Sequence, residues 1–284
     1  MGQANVRKSA KAERFLKLDQ ELKTYGIDTT QLGFYDQPKF LEQEAIHADF
    51  VENYAEWVTL KPHGKSYAEH VKTVVPQLVK LVHAEFVEFG LDGGCVAASG
   101  MITRMLDRLG VWSFAVGGSV TLEVERAQLR RMLHAVDRPD FPGAMLGHVW
   151  VVAPPYTIVD STISLQHWQN DEMGHFVPPY VLAADDARMI RPKVGDVVSD
   201  QLRREAAAHG IPDADLHYRL EPRLQPFGRK FPALEISRGD LTLHYVPVVV
   251  RQTDVPLERI NIEGERGRPA IEFWQRIVAP HFNV

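Results

Sequence analysis

The chain has 284 residues, 45% of them hydrophobic and 24% charged, with a formal net charge of −5 at pH 7. This balance excludes a disordered or low-complexity chain and supplies no bulk positive field for nucleic acid. A single cysteine, Cys95, excludes an internal disulfide and any cysteine-based zinc cluster.

No stretch approaches the roughly 18 consecutive apolar residues of a membrane-spanning helix. The first 26 residues carry basic groups but no apolar core of a secretion signal. A cytoplasmic protein with neither a nucleic-acid nor a membrane partner is therefore expected; oligomeric state cannot be read from the sequence.

The first predicted element is an amphipathic helix over 8–25, with Phe15, Leu16, Leu18 and Leu22 at helical spacings. Gly26 is placed to stop it. A loop punctuated by Gly33 and Pro38 follows, then helices over 41–60 and 67–89. In the second of these, Val71, Val74, Val75, Leu78, Leu81, Val82 and Phe86 fall on one stripe. After the turn Leu91-Asp92-Gly93-Gly94, the residues Ile102, Met105, Leu106 and Leu109 repeat at helical spacing and define a helix that opens at Cys95.

Residues 112–116, Gly117-Gly118 and 119–124 read as strand, two-residue turn and strand. A short helix is expected over 125–135, and a turn-rich segment over 137–143. Two further strands, 147–153 and 156–163, meet at Pro154-Pro155. Residues 241–250 are strand-like, with Pro247 suggesting an edge or a break, and 269–278 suit a closing helix. Helices first, then a helix leading into antiparallel strands, indicate an α+β domain spanning 1–284. It divides into a helical N-terminal portion (1–90), a core (91–186) and a C-terminal portion of unassigned role (187–284).

The candidate chemistry lies between residues 92 and 162. Free backbone N–H groups at a helix start favour negative charge, so a thiol at Cys95 would ionise more readily and attack more readily. Gly93 and Gly94 leave its approach side free of side chains. Taken alone, Cys95 reads more readily as a small buried hydrophobe on a core helix. His148 and Asp160 alter that balance. The turn at Pro154 lies midway between them and their parity matches, so without a bulge both side chains share one sheet face. Asp160 can then orient the imidazole, leaving its other nitrogen for Cys95.

The blocks GGCVAASGMITRMLDRLGV, GHVWVV and YTIVDST together resemble the core of the transglutaminase-like superfamily, within the papain-like cysteine peptidase fold. About a quarter of the chain carries the resemblance. It implies a Cys-bearing helix packed on an antiparallel sheet, with Cys95, His148 and Asp160 as the catalytic residues. It implies attack of Cys95 on an amide or ester carbonyl of a peptide or protein substrate, without metal or cofactor. Water as acceptor gives a peptidase or amidase; an amine gives a transglutaminase. The glutamine that papain-type enzymes carry before the cysteine is absent from VEFGLDGG. Some relatives use an upstream Trp, and Trp57 fits that role by order alone, although Trp commonly anchors a core. Gly94 and Trp150, the aromatic two residues after His148, complete the candidate oxyanion and substrate-binding group.

Three alternatives stay open. Arylamine N-acetyltransferases share the order GGC, His, Asp, although their usual N-terminal pattern is missing. A non-catalytic binding module on the same fold is the second. His167 and His175, in HWQNDEMGH, invite a metal reading but sit in a loop with scattered polar groups, which suits the border of the site better.

Overall fold

The computed structural model describes residues 2–137, 147–168, 170–253, 255–261 and 268–284. The N-terminal portion forms helices α1 (Gly2–Thr24), α2 (Pro38–Ile46), α3 (Val51–Leu60) and α4 (Lys65–Glu88). Gly26 takes a left-handed φ of 78° where α1 ends, as its lack of a Cβ permits. Leu18 and Leu22 are buried, but Leu16 is 66% exposed, so the apolar stripe of α1 is narrower than its composition implies. The helix expected over 41–60 is two helices. Pro38 opens the first at the position where its missing N–H costs nothing. The break between them carries Phe50 into an edge contact with Phe40, ring centres 4.9 Å apart.

Helix α5 (Cys95–Arg108) leads into strand β1 (Phe114–Val124), which corrects the expected strand-turn-strand. Gly117 and Gly118 lie inside one continuous strand, paired to neighbours on both sides. A Cβ on Gly118 would come within 2.1 Å of the Val246 carbonyl oxygen, so the glycine serves close backbone approach rather than a turn. The expected helix over 125–135 is also corrected. A 3-10 turn at Glu125–Ala127 reverses the chain into β2 (Leu129–Leu133), which pairs antiparallel with β1. From 138 on, the turn-rich segment lies outside the described residues.

Strands β3 (His148–Ala153) and β4 (Tyr156–Asp160) form as expected. Then come β5 (Val181–Ala183), β6 (Arg188–Met189), helices α6 (Asp200–Ala208), α7 (Leu216–Leu220) and α8 (Leu224–Lys230), and strands β7 (Leu234–Arg238) and β8 (Leu241–Val250). The eight strands make one antiparallel sheet in the order β5-β4-β3-β1-β8-β7-β6, with β2 also on β1. Strand β8 therefore sits inside the sheet, not at its edge. Pro247 is accommodated where the β1–β8 register slips between Gly117 and Gly118. The closing segment is a helix with a wide central turn, Ala270–Phe282.

Both faces of the sheet are covered. Ala115, Val149, Val151 and Val159 face α4, α5 and the closing helix. Val116, Trp150, Ile158 and Tyr245 face the aromatic cluster of α1–α3, built on Phe34, Tyr54, Trp57 and Trp112. The architecture is α+β with a helical N-terminal portion. Among the described residues, no helix is long and apolar enough to cross a membrane.

Helix α5 is fastened at its far end by a polar cluster. Arg104 pairs with Asp36 and donates to the carbonyls of Thr253, at 2.6 Å, and Val255, at 3.1 Å. Tyr35 Oη donates to Asp107 Oδ2 at 2.6 Å, while Asp107 Oδ1 is buried without a hydrogen-bond partner. Burial raises the Asp107 carboxyl to about 7, against the opposing pull of the Tyr35 hydroxyl and Arg104. A carboxyl raised on folding stabilises below its ordinary 3.8 and loses that contribution as pH rises through about 7. Asp107→Asn is accordingly expected to remove about 2 kcal/mol of stability loss between pH 5 and pH 8. Urea denaturation at the two pH values checks this; an equal loss in wild type and variant contradicts it.

Candidate functional site

Three elements converge at one end of the sheet. Helix α5 presents Cys95 in its first turn, β3 opens with His148, and β4 ends with Asp160. Pairing between β3 and β4 runs through Val151–Val159 and Ala153–Tyr156, with a bulge between them. Continuing that register sets Asp160 beside Trp150 rather than directly opposite His148. Residues 148 and 150 share a face, so Asp160 still meets His148, along the diagonal. The expected direct pairing is thus shifted by two residues, which preserves the face.

His148 Nε2 donates to Asp160 Oδ2 at 2.8 Å, and both residues are 1% exposed. The carboxylate is further held by Tyr245 Oη on Oδ2 at 2.9 Å and by the Thr162 amide on Oδ1 at 3.0 Å. A buried carboxylate needs such donors to offset its lost hydration. Tyr245 is the residue that sequence reasoning missed. It lies 85 positions beyond Asp160, in a strand that only the sheet order brings alongside, and its ring packs edge-on to Trp150 with centres 5.1 Å apart.

Asp160 occupies Nε2, so Nδ1 of His148 is the nitrogen left on the Cys95 side; it is buried and has no hydrogen-bond partner among the described residues. The thiol lies within the hydrogen-bonding and coulombic reach of the imidazole and of the Val149 amide. Val149 lies beyond the paired end of β4, and α5 supplies partners for its backbone. Ser99 Oγ donates to the Val149 carbonyl at 3.2 Å, and the Cys95 sulfur takes up the amide.

These contacts set the charge state. Burial alone would raise the Cys95 thiol, but the His148 hydrogen bond and charge, with the Val149 amide, bring it below its ordinary 9.0. Burial alone would depress His148, but the Asp160 carboxylate and the thiolate raise it to about 10. The arrangement sets a thiol lowered by a neighbouring imidazole beside an imidazole raised by a carboxylate.

Gly94 caps α5 directly ahead of Cys95; a Cβ there would meet Phe86 at 2.6 Å. His167 lies against the same turn, 3.6 Å from the position of a Cβ on Gly93, so the His167 loop does border the site. Trp57 is not brought there. It is 1% exposed in the N-terminal aromatic cluster, and its indole N–H donates to Asp19 Oδ1 at 2.9 Å. It anchors helices and has no donor left for an oxyanion. Trp150 is also fully packed, backing Tyr245 from the sheet face opposite α5, where it lines an apolar cavity of about 270 Å³. It touches the aligning carboxylate's support rather than the space around the thiol.

No family model, no curated protein and no solved structure matches this chain.

Proposed function

We propose that this protein is a cysteine-dependent acyl-transfer enzyme on a papain-like, transglutaminase-like core, hydrolysing a peptide or side-chain amide. The observation that carries the reading is the buried line Cys95–His148–Asp160, with thiolate and imidazolium favoured together. A buried His148–Asp160 pair, its carboxylate held further by Tyr245 and the Thr162 amide and its free Nδ1 left on the Cys95 side, supports a chemical purpose.

The Cys95 thiolate attacks the amide carbonyl carbon, and the carbonyl oxygen becomes an oxyanion. Backbone N–H groups of the first turn of α5, that of Cys95 among them, have no intrahelical acceptor and can receive it. His148 passes its proton to the leaving nitrogen as the C–N bond breaks, leaving a thioester on Cys95 and a released amine. Neutral His148 then takes a proton from water as the water oxygen attacks the thioester. The sulfur leaves as thiolate, a carboxylic acid departs, and the site is restored. Cys95 is 6% exposed, which suits a slender side chain or chain end rather than a folded polypeptide surface.

Ammonia release from a glutamine-bearing peptide library is the test. Wild type is expected to release ammonia and Cys95→Ala to release none above the uncatalysed background. Stoichiometric incorporation of an added primary amine would replace hydrolysis by transglutamination. Identical behaviour of wild type and Cys95→Ala would leave a binding module as the better account.

A further inference from the structure

We infer that Tyr245 is a positioning residue of the reaction, its hydroxyl sharing with His148 the Asp160 oxygen that aligns the imidazole and so limiting the carboxylate's hold on it; the inference rests on the acyl-transfer reading of Cys95. The two carboxylate oxygens are served differently. Oδ1 accepts from the amide of Thr162, two residues on in the chain, at 3.0 Å. Oδ2 accepts from two distant side chains at nearly equal length, His148 Nε2 at 2.8 Å and Tyr245 Oη at 2.9 Å. Strands β3 and β1 separate β4 from β8, so the phenol reaches Asp160 across two strands. Gly118, the direct partner of His148 on β1, leaves room for this. A Cβ there would meet the Trp150 ring at 2.8 Å, the ring that packs edge-on to Tyr245.

Packing alone does not call for the hydroxyl, since a phenylalanine ring would fill the same place against Trp150. What the hydroxyl adds is the bond to Oδ2. Burial and the Asp160 charge hold its proton well above the ordinary 10.0, so it acts there as a donor. The other titratable and charged groups around the bond are His148 from β3, Cys95 from α5 beyond the imidazole, and Arg238 from β7 at longer range. A hydrogen bond given to a carboxylate stabilises its charge and makes it a weaker base. A weaker base at Oδ2 pulls less on the Nε2 proton. Burial opposes a charged imidazole at His148, but Asp160 and Cys95 favour it and bring the group to about 10. A general acid works best when its pKa lies near the operating pH, so at neutral pH His148 already holds its proton too tightly. The second donor on Oδ2 keeps that mismatch from growing, and His148 can still release its proton to the leaving nitrogen.

The test uses Tyr245→Phe, which keeps the ring, and a chain carrying at position 245 a tyrosine fluorinated beside its hydroxyl, a stronger donor. Ammonia release from the glutamine-bearing peptide library is compared with alkylation of Cys95 by iodoacetamide, which needs no proton donor. The NMR resonance of the His148 Nε2 proton, assigned by its loss in His148→Ala, is followed alongside. In Tyr245→Phe, ammonia release at pH 7 is expected to fall about threefold while alkylation stays within about twofold of wild type. The proton resonance is expected to move downfield as its bond to Oδ2 strengthens. The fluorinated chain is expected to move it upfield, and carries the test alone if Tyr245→Phe does not fold. Equal losses of ammonia release and alkylation in folded Tyr245→Phe, or a resonance unmoved by either replacement, overturn the role assigned to Tyr245. A wild-type Cys95 inert to iodoacetamide overturns the acyl-transfer reading itself, whatever the resonance does.

Discussion

His148→Ala is expected to slow alkylation of Cys95 by iodoacetamide about tenfold at pH 6.5. An isolated thiol with the ordinary value of 9.0 is only about 0.3% ionised at that pH. Beside His148 its pKa is lowered, so a larger fraction is ionised at that pH. The gain in rate is smaller, because each unit taken off a thiol pKa lowers the thiolate's own nucleophilicity roughly threefold. The pH profile is the sharper signature. The wild-type rate is expected to rise less steeply from pH 6.5 to pH 8 than that of the variant, which accelerates with each unit. Parallel profiles for the two proteins would mean that the sulfur and the imidazole do not share a proton.

Asp160→Asn is the second large effect. It removes the charge that, with the Asp160 hydrogen bond and Cys95, outweighs burial at His148, and leaves Tyr245 Oη and the imidazole facing a neutral amide. Breaking one side of a buried pair costs about 3 kcal/mol or more. The pH dependence follows from the two shifts together. A raised His148 stabilises below its ordinary 6.5 and loses that contribution as pH climbs through about 10. A lowered Cys95 stabilises above its ordinary 9.0 and loses that contribution as pH falls through its folded value. Below 9.0, where the unfolded chain still holds a proton on the thiol, the gain from the lowered Cys95 opposes the loss from the raised His148. Above 9.0 only the folded chain keeps a proton on the pair, so wild-type stability declines toward pH 10. In Asp160→Asn that alkaline decline disappears along with the pair. Denaturant titrations at pH 7, 9 and 10 measure both effects. A variant as stable as wild type, with the same alkaline slope, would refute the ion-pair description.

The Cys-bearing helix and the His148 and Asp160 strands were legible because each depends on local pattern: helical spacing from Ile102 to Leu109, a short unbroken apolar run in HVWVV, and a proline pair between two apolar runs. Same-face geometry survived even though a bulge moved the register, because the slip came to two residues and side chains alternate with that period. What was not legible was non-local. Gly117 and Gly118 look like a turn to any local rule. Only the Val246 carbonyl on one side and the Arg251 stem on the other explain them. Pro247 reads as an edge residue until the register slip beside it is known. Leu129–Leu133 lacks clean alternation because all five residues are half-buried, so it resembles helix as much as strand. Trp57 satisfied the expected order of a remote donor, but order does not say which core an indole will enter. Tyr245 could not have been singled out, since nothing in LTLHYVPVVV distinguishes a phenol that packs from one that also donates.

The bond from Tyr245 to Asp160 ties the aligning carboxylate to the order in which the chain is made. Strand β8 lies in the middle of the sheet, and its tyrosine completes the support of the aligning carboxylate. A growing chain that already displays Cys95, His148 and Asp160 still lacks that support. The aligning carboxylate is therefore fully held only once β8 has entered the sheet.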